Sequence, residues 1–180
     1  MPPTIIERPA ATEYAPAFET YVSKVGHGNV LEILKQQGRE TVALFGGLSD
    51  QDARFRYAEG KWSIKQVLGH VTDSERIMVY RALCFARGEQ AGLPGFEEDD
   101  YVRNARLDSR PLADLLAEFQ AVRAATLPFF AGLDAEELMR RGTASNRPFS
   151  VRALAYIVAG HERHHVLVLE ERYLKALGRG

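Results

Sequence analysis

Four segments of this 180-residue chain set apolar side chains three and four positions apart, the spacing that turns one face of an α-helix toward a core. The first, 29–47 (NVLEILKQQGRETVALFGG), carries Val30, Leu31, Ile33, Leu34, Val42, Leu44 and Phe45 before Gly46 and Gly47 stop it. The second has the best-defined start. Ser63 followed by Gln66 makes a capping box, and Trp62 and Val67 stand at the two positions of a hydrophobic staple, so a helix is predicted from Ser63 to Arg87, closed by Gly88. The third, about 110–132, follows Asp108 and Ser109 as candidate caps and ends at Gly132. A short helical turn, DAEELMRR, starts at Asp134 with Glu137 three residues on, and the fourth long helix begins after Ser150 and runs to about Leu177.

No run of alternating β-branched residues competes with these helices, so the fold class predicted is all-α: a four-helix bundle. Residues 1–28, with the GHG stretch at 26–28, form an N-terminal extension packed on the outside, and residues 29–178 form the bundle domain. The connection from Gly88 to Ser109 lacks periodicity and exceeds the usual helix–helix link, so a long crossover between the second and third helices is expected, one that crosses the bundle or covers something.

The length suits one compact domain with a sizeable core. A formal net charge of −1 and a charged fraction of 26% leave no basic footprint, so no nucleic-acid partner is expected. The single cysteine, Cys84, excludes an internal disulfide and a cysteine zinc motif; in its aliphatic helix it fits a small buried hydrophobe. Any metal must then be held by histidines and carboxylates. The start, MPPTIIERPAATEYAPAF, has neither a basic stretch nor an apolar one, and no segment is long and apolar enough for a membrane span. A soluble, cytoplasmic protein without a membrane partner is expected.

Candidate chemistry concentrates in AYIVAGHERHHVLVLEERYL, 155–174. At about 100° per residue, Leu154, Val158, His161, His165, Val168, Leu169 and Arg172 share one stripe, which points His161 and His165 into the core. Their separation of one turn lets two imidazoles share an ion. His164 lies to one side and reaches only the edge. On the second helix His70 flanks the apolar stripe of Ile64, Val67, Leu68, Val71, Met78 and Phe85 and can turn to the bundle axis. Three neutral imidazoles with one open position are the ligands of a site that lowers the pKa of a bound water or thiol. The alternative is a set of core histidines that satisfy one another.

His161, Glu162 and His165 also spell H-E-x-x-H, the zinc-peptidase string. A third ligand is missing further along the chain and an all-α fold offers no strand edge for a peptide, so a metallopeptidase is the least favoured reading. Glu162 is expected to face solvent at the boundary of the histidine stripe. Glu75 and Arg172 would each be awkward if buried alone, and their pairing, as a substrate anchor or a structural ion pair, is one solution. The acidic run 97–100 with Phe96 and Tyr101 is either a lid, with Tyr101 as a hydrogen-bond donor, or a solvated loop.

Together the runs GKWSIKQVLGHVTDSE (60–75), LPGFEEDDYV (93–102) and VRALAYIVAGHERHHVLVLEERYL (151–174) resemble the DinB-like superfamily of metal-binding four-helix proteins, over residues 13–175. The resemblance implies a metal triad at His70, His161 and His165, Ni²⁺ or Zn²⁺ as the ion, and a homodimer. It also implies a metal-dependent enzyme acting on a small-molecule substrate, by hydrolysis or by transfer of a low-molecular-weight thiol. The competing expectation is a non-catalytic protein in which the metal is structural.

Overall fold

The computed structural model describes residues 5–179. The outermost part of the expected N-terminal extension, residues 1–4, and Gly180 lie outside the described residues. The four long helices are α2 (Val30–Gly46), α3 (Ile64–Ala86), α5 (Leu112–Ala131) and α7 (Val151–Val168). Shorter helices are α1 (Glu19–Val22), α4 (Glu98–Asn104) and α6 (Ala135–Met139), and strands β1 (Arg141–Ala144) and β2 (Arg147–Ser150) form a hairpin.

Around the bundle the order is α2, α5, α3, α7, so the consecutive long helices α2 and α3 stand on a diagonal, as do α5 and α7. The long connection between α3 and α5 joins neighbours. Its middle is not structureless: α4 forms there, with Glu98, Asp99 and Asp100 in its first turn, where negative charge complements the helix dipole. Only Val102 of α4 is buried, which is why no apolar period announced it. Among the described residues no helix is long and apolar enough to cross a membrane.

The caps follow local chemistry. Ser63 and Gln66 close a reciprocal box at the start of α3 (3.0 and 3.1 Å), and Asp134 and Glu137 do so at α6. The expected caps of α5 do not act as such. Asp108 instead accepts from Ser63 Oγ and Arg56, and the Leu112 amide donates to Asp50 Oδ1 at 3.0 Å. Asp50 pairs in turn with Lys65, a fully buried lysine that donates to the Arg110 carbonyl at 2.6 Å.

The hairpin is absent from the expected all-helical pattern because its strands are four residues long and one contains Pro148. Ser145 and Asn146 both take left-handed φ (52° and 58°), the requirement of a tight two-residue hairpin turn. Gly142 lies so close to the Phe85 ring that a side chain there would displace it, which seats the hairpin on the end of α3. Past Val168 the last helix widens into a π-helical stretch, Leu169–Leu174. The change of period turns Arg172 off the histidine stripe and out to solvent.

Two apolar clusters build the core. One gathers Leu34, Phe85, Phe130, Leu154 and Ile157, and the other Phe45, Leu68, Leu115, Phe119 and Leu169. Between them every long helix contributes buried polar residues: Thr41 from α2, His70 and Glu75 from α3, Arg123 from α5, His161 and Glu162 from α7. The bundle thus has a polar waist, and the candidate site lies in it.

Candidate metal centre

His70 sits one and a half turns into α3, where it is 3% exposed, and His161 lies in the stretch of α7 from Ala153 to Glu162 in which every residue is buried. His165 follows one turn on, half-buried. The three rings converge through like atoms: His161 Nε2 is 3.0 Å from His70 Nε2 and 3.1 Å from His165 Nε2. All three ligand atoms fall within 4.8 Å of one another.

Hydrogen bonding cannot satisfy this arrangement. A neutral imidazole Nε2 carries either one proton or one lone pair, so His161 can make a proper bond to one of its two neighbours and not to both. Protonation is no remedy. Burial lowers the pKa of His70 to about 4 and of His165 to about 3, and burial together with His165 and His70 holds His161 well below the ordinary histidine range. Three neutral nitrogens aimed at one point match what a divalent ion requires: tetrahedral Zn–N bonds of about 2.0–2.1 Å set nitrogens ~3.3 Å apart. The donor set fits such an ion.

Aromatic rings wall the cluster. Trp62 lies 4.6 Å from the His70 ring and donates from Nε1 to Asp99 Oδ1 at 3.0 Å, which ties the start of α4 to the site. Tyr21 of α1 meets His161 edge-on at 5.2 Å. The contact is possible because Gly160 lets the α1 backbone press against α7; a Cβ at 160 would overlap the Tyr21 carbonyl. The Glu98 carboxylate stands 3.7 Å from His70 Nε2, outside the convergent set, and partial burial with Asp99 and Glu97 raises its pKa. On the open side a cavity of about 420 Å³ is lined by His161, Ser74, Met78, Arg81, Phe96 and Glu98 among others.

Of the other residues singled out by sequence, none joins the three histidines. His164 is half-buried beside them, its ring 5.5 Å from Tyr21 and 5.1 Å from His165. Tyr101 is 49% exposed and packs on Phe96 rather than donating into the site. Glu162 does not face solvent. It is 1% exposed, because α7 is enclosed by α1, α2 and α3 at this height, and it accepts from Thr41 Oγ1 (2.7 Å) and Arg123 Nη2 (2.8 Å). Glu75 pairs with Arg123, at 2.9 and 2.8 Å, and not with Arg172, which is exposed and donates to the Tyr57 hydroxyl at 3.2 Å.

Arg123 is the residue that sequence reasoning missed. Its guanidinium bridges both carboxylates at 5% exposure, and although burial opposes its charge, Glu162 and Glu75 outweigh that and raise its pKa. Burial raises the pKa of Glu162 against the pull of Arg123 and Thr41. A signal was present: Leu112, Leu115, Phe119, Arg123, Thr126 and Phe130 form one helical stripe, with a single cation in it.

A bundle whose waist presents three convergent imidazoles beside an open cavity has the donor set on which helical bundles build metal sites. Comparison with known proteins agrees. The family model described as the DinB superfamily matches residues 33–169, which include all three histidines, and the chain belongs to that superfamily. It is 23% identical over 155 residues to a protein of Oceanobacillus iheyensis named "Putative metal-dependent hydrolase", a match covering 86% of this chain and 80% of that one. In fold it is similar to YfiT from Bacillus subtilis, described as "a probable metal-dependent hydrolase with an unusual four-helix bundle topology". That likeness has a TM-score of 0.72 at 15% identity and covers 97% of this chain and 95% of the other.

Proposed function

We propose that this protein is a metal-dependent hydrolase of small molecules, with a divalent ion held by His70, His161 and His165. The convergence of three Nε2 atoms that cannot satisfy one another carries this reading, and the names of the relatives point the same way. Imidazole ligands suit Zn²⁺ and Ni²⁺ alike. An ion so held supplies a Lewis acid that polarises a carbonyl and lowers the pKa of a water or thiol. The chain's own part is to keep the three rings neutral by burial, to fix their direction with Trp62 and Tyr21, and to open His161 alone of the three onto the cavity. Glu98, beside His70 on the cavity wall with a raised pKa, is the group placed to accept a proton from an attacking nucleophile.

The competing reading, a purely structural metal, needs a fourth protein ligand, and among the described residues no fourth histidine, cysteine or carboxylate joins the mutual set. The deciding experiment is metal analysis of the purified chain after exposure to Zn²⁺ or Ni²⁺. About one equivalent per chain is expected, lost in His165→Ala and His161→Ala; a chain that takes up no metal overturns the reading. The loaded protein is then assayed on esters and amides, and on electrophiles with low-molecular-weight thiols. Turnover of the first pair supports hydrolysis, turnover only with thiol replaces it by thiol transfer, and inactivity with a closed coordination sphere favours the structural role.

A further inference from the structure

The cavity that opens beside His161 carries a second unusual group. Arg81 of α3 is 3% exposed, yet among the described residues no carboxylate lies within ion-pair distance of it. Its hydrogen bonds go to neutral acceptors: Nη2 donates to the Pro94 carbonyl and to Ser145 Oγ, both at 3.1 Å, and Nη1 to Met78 Sδ at 3.8 Å. The other buried arginine among the described residues, Arg123, is paired with two acids, Glu75 and Glu162. A cation left without a counter-charge in the interior is costly, and here it lines the cavity, on the face that Ser74 and Met78 continue back to His70 one turn at a time.

We infer that Arg81 is the anchor for a carboxylate of the small molecule taken by this cavity, whose reacting group then lies toward His161. The inference rests on the proposed small-molecule activity and names its substrate class. The planar guanidinium fork matches a carboxylate. The cavity wall carries Arg81 and Arg147 but also Glu97 and Glu98, so the charges balance, and a monoanion is accommodated where a dianionic phosphate meets repulsion from the acids. Along α3 the Cα atoms of His70 and Arg81 are about 16 Å apart at the helical rise, and the arginine reaches back over Met78, so anchor and histidines address two ends of one small ligand.

The test uses the full chain with ¹⁵N-labelled arginine and benzoate as the probe, with benzyl alcohol as its neutral counterpart and inorganic phosphate as the other anion. Benzoate is expected to shift the Arg81 Nε–H resonance saturably, benzyl alcohol and phosphate to leave it in place. Arg81→Gln and Arg81→Lys, checked for an unchanged melting curve, are expected to weaken benzoate by about tenfold or more, the worth of a charge-assisted fork. No saturable benzoate shift in the wild type, tighter binding of phosphate than of benzoate, or wild-type affinity in either folded variant overturns the inference. His165→Ala, deprived of metal, is expected to keep its benzoate affinity. Hence a wild-type chain that takes up no metal but binds benzoate through Arg81 sinks the metal reading alone, and one that takes up metal but binds benzoate without Arg81 sinks this inference alone.

Discussion

Adjacent residues of α7 serve two buried clusters of opposite character. Glu162 turns to Arg123, which also holds Glu75, while Thr41 and the Leu34 carbonyl take up remaining hydrogen-bonding capacity: a charged cluster closed on itself. His161, one residue earlier, turns to His70 and His165, and the three meet with lone pairs and protons that do not balance: a neutral cluster left open, beside a cavity. His70 and His161 are buried, as are Glu75, Arg123 and Glu162, so burial does not tell a structural polar cluster from a functional one. Closure of the hydrogen bonds does, since an unmatched buried polar group is costly and persists where something else completes it.

The sharpest way to break this contrast is Arg123→Ala, which leaves two carboxylates facing each other in the waist. A loss of about 3–5 kcal/mol is expected by urea denaturation, with metal stoichiometry intact in the fraction that stays folded. If metal uptake falls in step with that stability loss, the clusters are one unit and the contrast is false. Replacing the whole closed cluster, Glu75→Leu, Arg123→Met and Glu162→Leu together, should recover most of the loss.

The open cluster should show itself through pH. In the metal-free protein the folded-state histidine pKa values lie below that of the unfolded chain, near 6.5. The unfolded state therefore takes up protons first, and stability falls as pH drops from about 6.5 toward 4 to 3, by about 1.4 kcal/mol per pH unit for each histidine. Removing one with His165→Leu, whose folded-state pKa is about 3, should spare ~2 kcal/mol of the loss between pH 8 and pH 5. Denaturation at a series of pH values measures both slopes; equal slopes for the variant and the wild type would refute the burial-driven shift.

Gly160→Ala is expected to cost about 1–3 kcal/mol by forcing α1 off α7, and to loosen Tyr21 from His161, which a tyrosine-to-imidazole contact in an NMR spectrum would report. The smallest effect belongs to His164→Ala. Thermal unfolding and metal content should both stay at the wild-type level, within ~0.5 kcal/mol, which separates the half-buried neighbour from the three that converge.

The long helices were legible because their apolar faces repeat, and the starts of α3 and α6 because capping boxes are local. The cap of α5 was not, since the group that serves it, Asp50, comes from a distant loop. Neither α4 nor the hairpin announced itself, each being too short to carry a period. His161 and His165 could be placed by counting around one helix, and their direction was set by the same aliphatic stripe that carries them. Glu162 misled for a physical reason: a helix walled on three sides has no solvent face for its carboxylate, and the count of walls is a tertiary fact. Arg172 was displaced by the π-helical stretch, which has no marker in the residues that form it.

The separation of the three histidines along the chain has a consequence for the order of events in making the protein. His70 and His161 stand 91 residues apart, and only the packing of α7 on α3 brings their nitrogens together. A nascent chain that has emitted α3, with α2 and α5 folded around it, offers an incoming ion one imidazole. The convergent trio comes into being with the last long helix, so an ion taken up as proposed would select chains that have already folded, and metal loading would be a final inspection of the bundle rather than a template for it.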